Sequence, residues 1–176
     1  MALTLEDLNS AGAADFSAAL DGVFEHAPWV AARAAAARPF GSVAALHDRL
    51  MAVIRAAPEA ERLRFLKGHP ELTAGPLASD LTAASRAEQG GVALGGLAGA
   101  AELDALTAAY RVRHGIPFII CLRRHTAASV LRELRQRLDR DTATEHAAAL
   151  EEVGHVSRLR LAERVREEAT RPQGGN

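Results

Sequence analysis

The chain is poor in several residue types that mark common classes of protein. Its 176 residues include one cysteine, Cys121, so no disulfide can form within the chain, which favours a reducing compartment. Aromatic residues make up only 4%, and alanine supplies much of the apolar content, which favours packed helices over a β-sandwich. No apolar run approaches the roughly 18 residues of a membrane span, and no basic segment with an apolar stretch behind it marks a secretory signal. These absences predict a soluble, cytoplasmic protein without a membrane partner.

Neither sign of charge dominates. With 21 basic and 22 acidic residues the net charge is −1, so no phosphate-binding surface is indicated and we expect no nucleic-acid partner. The histidines, such as His146 and His155, lack the short spacings of metal ligands. The chain also lacks a glycine-rich phosphate loop, a dinucleotide-binding fingerprint and a G-x-S-x-G motif. We therefore expect no metal and no cofactor, and any catalysis would use acid–base groups and polar positioning.

The spacing of apolar residues predicts an all-α fold in a single domain over residues 1–170, followed by a disordered tail over 171–176. The break between helices near 116–122 predicts one short extended segment, and His69–Asp80, with two prolines and a glycine, predicts an ordered loop. Thr4 and Ser42 are expected to cap the first and fourth helices. With the prolines and glycines, these caps place the helices at Leu5–Leu8, Gly12–Glu25, Trp29–Ala37, from Ser42 onward, Pro58–Lys67, from Ser85 to an interruption at Gly95-Gly96, Glu102–His114, Thr126–Leu138 and Thr142–Glu168.

A histidine stands just beyond a predicted helix end, in the sequence Lys67-Gly-His-Pro70. Gly68 can end the helix in a left-handed conformation, and Pro70 restricts His69 to extended backbone. This arrangement would hold the imidazole at a fixed angle, as a catalytic histidine requires. The alternative is an ordinary histidine in a surface loop.

The segment Ser85-Arg-Ala-Glu-Gln89 has two compatible interpretations. Ser-x-x-Glu is the pattern of a capping box, in which Ser85 and Glu88 bond the exposed amides at a helix start. Helix N-termini also attract anions, and Gln89 adds two donors and an acceptor beside them. The segment therefore predicts a helix start that can also bind a substrate.

Two further features depart from an ordinary helical bundle. The backbone of Phe118–Leu122 lacks helix partners, so it either crosses the core bonded to neighbouring loops or offers its polar groups to a planar heterocycle. Arg160 falls on the apolar face of the last helix, near Val153 and Val156. It either extends to solvent or receives a carboxylate, which its planar fork suits. In the second case it would pair with Glu88 or grip an anionic group of a substrate, and the sequence leaves both open.

Taken together, these segments resemble the family of 2-oxo-4-hydroxy-4-carboxy-5-ureidoimidazoline (OHCU) decarboxylases. The resemblance runs from about Leu5 to Val165. Its motifs stand in family order at Phe24-Glu-His-Ala-Pro-Trp29, Arg38-Pro-Phe40, Gly68-His-Pro-Glu-Leu72, Ser85-x-x-Glu88-Gln89, Arg113-His-Gly-Ile-Pro-Phe-Ile-Ile-Cys121 and Arg158-Leu-Arg-Leu161.

The resemblance implies a cofactor-free carboxy-lyase of urate degradation that converts OHCU to (S)-allantoin after urate oxidase and hydroxyisourate hydrolase, in an all-α, commonly homodimeric fold. By the same resemblance His69 and Glu88 are implicated in catalysis. The residues implied to bind substrate are Pro70, Ser85, Arg86, Ala87, Gln89, Phe118, Ile119, Ile120, Cys121, Leu122 and Arg160.

The sequence departs from common family versions in the loop Thr73–Leu77, around Ser85–Val92 and at Arg123-Arg124. These departures keep open a divergent member that acts on another ureido acid. A helical interaction protein without activity is the other alternative. It would account for the alanine-rich helices but not for the His-Pro, Ser-x-x-Glu-Gln and extended segments together.

Overall fold

The computed structural model describes residues 3–74, 81–91 and 99–167, and this part of the chain is almost entirely helical, as predicted. The loop residues 75–80, the glycine pair at 95–96 and the tail at 171–176 lie outside the described residues. The described helices are α1 (Leu5–Ser10), α2 (Ala13–Ala19), α3 (Pro28–Ala34), α4 (Val43–Ala56), α5 (Glu59–Lys67), α6 (Ala83–Gly91), α7 (Ala100–His114), α8 (Ala127–Leu138) and α9 (Thr142–Arg164), with 3-10 turns at Ala35–Ala37 and Leu122–Arg124.

The long helix α9 runs through the centre of the bundle. It packs against α4, α5 and α7, while α7 and α8 pack side by side and α3 joins α2 to α4. Leu46, Leu50 and Ile54 of α4 are fully buried, as the predicted spacing requires, and Val153 and Leu161 of α9 lie in the same core. Because α9 touches so many elements, a polar side chain on its buried face can reach several of them.

Two helix starts that the sequence identified are capped as predicted. The Thr4 hydroxyl accepts from the Asp7 N–H at 3.1 Å and Asp7 bonds back, which forms a capping box. The Ser42 hydroxyl accepts from the Ala45 N–H at 3.0 Å at the start of α4. Each bond satisfies an amide that the helix leaves without a partner.

The last helix ends earlier than predicted, at Arg164 rather than Glu168. Val165–Arg166 instead forms a strand, β2, that pairs in parallel with β1 (Leu3–Thr4). The pairing joins the beginning and the end of the described residues. The sequence does not predict this pairing, because a strand of two residues is too short to show an alternation of polar and apolar side chains.

The prediction that the second helix runs from Gly12 to Glu25 was wrong, since α2 ends at Ala19. Asp21-Gly22 is a turn dipeptide, and Gly22 adopts φ +76°, a left-handed conformation that would break a helix. The Arg164 guanidinium donates to the Asp21 carbonyl and holds this turn against α9. The early turn leaves Val23–Ala27 free to fold over the end of α9.

We expect Gly22→Ala to destabilise the protein by about 1 kcal/mol, because a Cβ is disfavoured at positive φ. The added Cβ would also stand 3.0 Å from the terminal nitrogen of Arg164, a flexible side chain that can move away. For a domain of this size the loss corresponds to a fall of about 2–4 °C in melting temperature.

Gly41→Ala is the matched control, since Gly41 has no positive φ and no atom within 4 Å of an added Cβ. Its melting temperature should stay close to that of the wild type. Equal losses in the two variants would show that the turn at Gly22 carries no conformational requirement.

The predicted left-handed end of α5 at Gly68 was also wrong. Gly68 has φ −76° and ψ −7°, and the His69 N–H donates to the Leu66 carbonyl at 3.2 Å, so the chain leaves the helix through a tight right-handed turn. A left-handed glycine ends α7 instead, where Gly115 has φ +71° and donates to the Arg111 carbonyl. A glycine permits the left-handed conformation without requiring it, and the path to the next element decides.

Within the described residues no helix is long and apolar enough to cross a membrane.

Candidate active site

One pocket collects most of the residues that the sequence singled out. It lies between the turn after α2, the end of α5, α6, the segment before the Leu122–Arg124 turn, and α9. It contains ≈ 590 Å³ of space, part of it open to solvent. Its lining residues are Val23, Phe24, Glu25, His69, Pro70, Leu72, Ser85, Glu88, Gln89, Phe118, Ile119, Ile120, Leu122, Val153, Val156 and Arg160.

His69 enters this pocket from the end of α5 with its ring held in place. Its Nδ1 lies 3.0 Å from the Phe65 carbonyl oxygen, and the Phe65 ring meets the imidazole edge-on at 4.9 Å between centroids. A carbonyl can only accept, so Nδ1 carries the hydrogen and Nε2 has the free lone pair. Burial lowers the pKa of His69 from about 6.5 to about 4, and the hydrogen bond to Phe65 and the charge of Glu25 oppose that shift only in part. The imidazole is therefore neutral near pH 7, with Nε2 as a base.

The helix α6 carries three pocket residues on one face. Ser85, Glu88 and Gln89 are spaced three and four apart, which places them on the same side of a helix, and all three line the pocket. Arg86 and Ala87 are exposed and lie outside the pocket lining. The structure therefore brings the first three together and does not bring the other two to the site.

The capping-box interpretation of Ser85 was wrong. The helix α6 begins at Ala83, and Thr82 is the residue that caps it: the Thr82 hydroxyl accepts from the Ser85 N–H at 3.2 Å. Ser85 and Glu88 therefore lie inside the helix, and their side chains are free for other partners. The register was ambiguous because Thr82 and Ser85 are both good capping residues three positions apart.

The Glu88 carboxylate pairs with the Arg160 guanidinium in a two-pronged arrangement. Arg160 Nε donates to one carboxylate oxygen at 3.0 Å and NH2 donates to the other at 2.7 Å. Parallel bonds of this kind fix both the position and the plane of a carboxylate. The sequence left open whether Arg160 extends to solvent, and the structure shows it buried and paired.

All five N–H donors of Arg160 bond to protein acceptors. Besides the two bonds to Glu88, NH2 donates to the Ser85 hydroxyl at 2.9 Å, and NH1 donates to Glu25 at 3.2 Å and to the Gly22 carbonyl at 3.4 Å. An arginine side chain has five donors, so the guanidinium has none left for a further ligand. Burial would lower the pKa of Arg160, but Glu88 and Glu25 outweigh it and raise the pKa, so the cation is maintained.

Glu25 is a site residue to which the sequence analysis assigned no role. Its side chain is almost completely buried and accepts bonds from the turn at Thr82, from Ser85 and from Arg160. Burial would raise the pKa of Glu25, but hydrogen bonds from Ser85 and Thr82 and the charge of Arg160 outweigh it and lower the pKa. The dipeptide Asp21-Gly22 could have predicted that the second helix ends before Glu25, since Asp-Gly is typical of turns. Glu25 would then have been recognised as free to face inward.

Gln89 has an acceptor without a partner. Its Nε2 donates weakly to the Glu71 carbonyl at 3.4 Å, while Oε1 is buried and has no hydrogen-bond donor among the described residues. A buried acceptor that lacks a donor is costly, and a ligand N–H would satisfy it.

The extended segment forms the apolar wall of the pocket. Phe118, Ile119 and Ile120 line it in non-helical backbone, as predicted, whereas Leu122 lines it from the first residue of a 3-10 turn rather than from extended chain. Cys121 is buried outside the pocket lining, and its N–H donates to a Glu152 oxygen at 2.8 Å. Of the five adjacent residues predicted to bind substrate, the structure leaves Cys121 outside the pocket lining.

A second buried ion pair supports this wall from behind. Arg137 NH1 donates to the Ile119 carbonyl at 3.0 Å and its Nε donates to Glu145 at 2.9 Å, while the Tyr110 hydroxyl donates to the same Glu145 oxygen at 2.6 Å. The Arg137 guanidinium also lies 4.7 Å from the Phe118 ring centre. The wall is thus held by Arg137, a residue that does not line the pocket.

The described residues therefore provide a neutral histidine base, a paired carboxylate, an unfilled amide acceptor and an apolar wall. They include no group of three or more histidine, cysteine, aspartate or glutamate side chains that could hold a metal ion. Such a site can orient a small polar heterocycle and move a proton at one face of it.

Comparison with known proteins places these features in a family. A family model described as OHCU decarboxylase matches residues 9–162. The 2-oxo-4-hydroxy-4-carboxy-5-ureidoimidazoline decarboxylase of Haloferax volcanii is 33% identical over 168 residues, which cover 94% of this chain and 98% of that protein. The protein of the same description from Bos taurus is 36% identical over 163 residues, which cover 91% of this chain and 96% of the relative.

Solved structures give the same result. The crystal structure of (S)-allantoin synthase matches 93% of this chain with a TM-score of 0.71 and 26% sequence identity. The match covers 54% of that chain, so this chain spans about half the length of the solved protein.

Proposed function

This chain belongs to the OHCU decarboxylase family, and we propose that the pocket around His69 is where it converts OHCU to (S)-allantoin. The chain is thus a carboxy-lyase of urate degradation. The location is supported by one observation: a neutral, oriented histidine, His69, and a fixed carboxylate, Glu88, line the same pocket.

The chemistry of the substrate sets what the site must do. OHCU carries a carboxylate and a hydroxyl group on ring carbon C4 and a ureido group on the neighbouring C5. When the bond to CO₂ breaks, its electron pair forms a C4–C5 double bond. The double bond that joined C5 to the ring nitrogen of the imidazoline opens onto that nitrogen, which takes up a proton from water. The hydroxyl group then loses its proton to become the carbonyl of allantoin, and C5 gains a proton. Because C5 becomes the stereocentre, delivery to one face determines the (S) product.

His69 is the group that moves the proton in this proposal. Its Nε2 accepts the proton of the C4 hydroxyl group, and the resulting imidazolium delivers it to C5 on the same face of the ring. The Nδ1 bond to Phe65 sets the tautomer that this transfer needs and keeps the ring from turning. One residue thereby serves first as base and then as acid.

The residues of α6 hold the heterocycle while the proton moves. Glu88, whose plane is set by Arg160, accepts N–H groups of the ring or the ureido arm with its remaining lone pairs, and Gln89 Oε1 accepts another. The wall at Phe118–Ile120 packs against one face of the ring. We keep Pro70, Ser85 and Leu122 as proposed substrate contacts because they line the pocket.

The reaction is tested by circular dichroism of urate degradation run with urate oxidase and hydroxyisourate hydrolase. Adding this protein should produce optically active allantoin quickly, whereas spontaneous decay of OHCU gives racemic product. An unchanged slow approach to racemic allantoin would contradict the proposed activity. As a control, doubling the concentration of this protein should double the rate, and adding more of the two upstream enzymes should leave it unchanged. The measured rate then reports the step that this protein catalyses.

The pH dependence should reflect the lowered pKa of His69. A histidine that must be neutral and has an ordinary pKa near 6.5 would lose about tenfold in kcat/KM at pH 5.5. With a folded pKa of about 4, His69 stays neutral there, and we expect kcat/KM to change by less than twofold between pH 8 and pH 5.5. Initial rates with coupling enzymes in excess at each pH provide the measurement. A tenfold fall at pH 5.5 would show that His69 titrates with its ordinary pKa near 6.5.

The fold of the family also motivates two further proposals about this chain. We propose that it acts as a homodimer in the cytoplasm. Sedimentation equilibrium would measure the mass directly, against the 18.6 kDa of one chain. A single monomeric species at micromolar concentration would reject the dimer.

A further inference from the structure

We infer that Glu25 is a positioning residue for this reaction: it orients Arg160 and anchors the start of α6, so that Glu88 meets the substrate in one fixed plane. The inference rests on the proposed function, because it concerns the same pocket. Glu25 has no role in the chemistry itself.

The Glu25 carboxylate is buried and accepts hydrogen bonds through both of its oxygens. One carboxylate oxygen accepts from the Thr82 N–H at 3.2 Å. The other accepts from the Thr82 hydroxyl at 2.8 Å, the Ser85 hydroxyl at 2.7 Å and Arg160 NH1 at 3.2 Å. Only 3% of the residue is exposed. A carboxylate whose oxygens are already bonded from three residues is suited to hold its neighbours rather than a ligand.

The first of these neighbours is the guanidinium of Arg160. Glu25 and the Gly22 carbonyl both bind NH1, which fixes one end of the planar fork. The opposite edge, Nε and NH2, then faces Glu88 with both bonds aligned. Without the bond to Glu25 the fork could turn and offer NH1 to Glu88, and the two-pronged alignment would be lost.

The second neighbour is the beginning of α6. Thr82 caps this helix, and Glu25 binds both the backbone N–H and the hydroxyl group of Thr82. Because Ser85, Glu88 and Gln89 all stand on α6, a shift of its first turn would move the three together. Glu25 therefore controls the same pocket face by two independent routes.

Because all five donors of Arg160 bond within the protein, its effect on OHCU can be distinguished from direct binding of the substrate carboxylate. An arginine that gripped the substrate carboxylate would matter for OHCU and not for allantoin, which has lost that carboxylate. An arginine that acts only through Glu88 and Ser85 matters equally for both molecules. Loss of Glu25, which disturbs Arg160, should therefore weaken allantoin binding as well as turnover.

The test is Glu25→Gln, in which the amide nitrogen cannot accept the bonds that the carboxylate oxygen received. We expect kcat to fall by about 10- to 100-fold, as misplacement of a catalytic array does, and the Kd for allantoin to rise by at least fivefold. The slowly exchanging Nε–H signal of Arg160 in a proton–nitrogen NMR spectrum should broaden or shift. A purely structural defect would lower the melting temperature without moving that signal in the folded protein.

His26→Asn is the matched control. His26 Nε2 lies 3.8 Å from the other side of the Glu25 carboxylate, but its side chain is half exposed and lies outside the pocket lining. It has φ +48°, a left-handed conformation that asparagine tolerates well. Turnover and allantoin affinity should stay within twofold of the wild type.

Thr82→Val covers the case in which Glu25→Gln does not fold. It removes one donor to Glu25 and the cap of α6, and a several-fold fall in kcat with weaker allantoin binding is expected.

A folded Glu25 variant with wild-type kcat and allantoin affinity would overturn the inference. Lost turnover with unchanged allantoin affinity and an unchanged Arg160 signal would overturn it as well. Wild-type protein that makes no optically active allantoin would instead reject the proposed function.

Discussion

His69→Ala should abolish nearly all production of optically active allantoin while the protein stays folded. Without Nε2 no group is left to carry the proton from the hydroxyl group to C5, and positioned acid–base groups contribute about 10²- to 10⁴-fold to rates. The fold should survive, because His69 lies beyond the end of α5 and its ring makes one hydrogen bond, to the Phe65 carbonyl. The measurement is the initial slope of the circular dichroism signal, together with the helical spectrum of the purified variant.

A histidine outside the pocket provides the control that distinguishes loss of proton transfer from loss of the folded structure. His155 stands on α9 but does not line the pocket, so His155→Ala should keep wild-type turnover. His69→Asn retains polarity and a similar size at the site but cannot shuttle a proton, so it should be as inactive as the alanine variant. Near-normal turnover in either folded His69 variant would remove His69 from the mechanism.

Arg160→Met should destabilise the protein strongly, several times more than Gly22→Ala. It leaves Glu25 and Glu88 in the protein interior without their cation, and breaking a buried ion pair from one side costs about 3–5 kcal/mol. For a domain of this size we expect the melting temperature to fall by about 10 °C. Turnover should be lost as well, because the plane of Glu88 is no longer set.

The exposed pair between Arg33 and Glu61 provides the control for Arg160→Met. Arg33 NH2 lies 2.7 Å from a Glu61 oxygen, a contact as short as that between Arg160 and Glu88, but 49% of the Arg33 side chain is exposed. Exposed pairs contribute about 1 kcal/mol or less, so Arg33→Met should lower the melting temperature by no more than about 4 °C. Equal losses in the two variants would mean that burial of Arg160 does not matter for stability.

The sequence was informative wherever a residue acts through its immediate neighbours in the chain. The caps Thr4 and Ser42 were identified because a hydroxyl group that bonds an amide three residues on needs only local structure. The same holds for the position of His69 just beyond α5. The failures at Ser85 and Gly68 were also local, since in each case two conformations were compatible with the residue.

The largest error concerned the residues that join distant segments. A second helix continued to Glu25 would have carried that carboxylate away from α9. The turn at Gly22 brings it instead to a partner 135 positions further along the chain. Apolar spacing favoured the longer helix, because Val23 and Phe24 fit a helical face and are buried either way.

By itself the sequence determined that this protein is helical, that one stretch near Phe118 is not, and which family it resembles. These properties follow from propensity, apolar spacing and motifs, which are read along the chain. Only the tertiary structure decided that Arg160 uses all five donors within the protein, that Glu25 holds it, and that Cys121 faces away from the pocket. Those facts depend on how helices pack, and burial makes a charged group find its partner wherever the packed chain provides one.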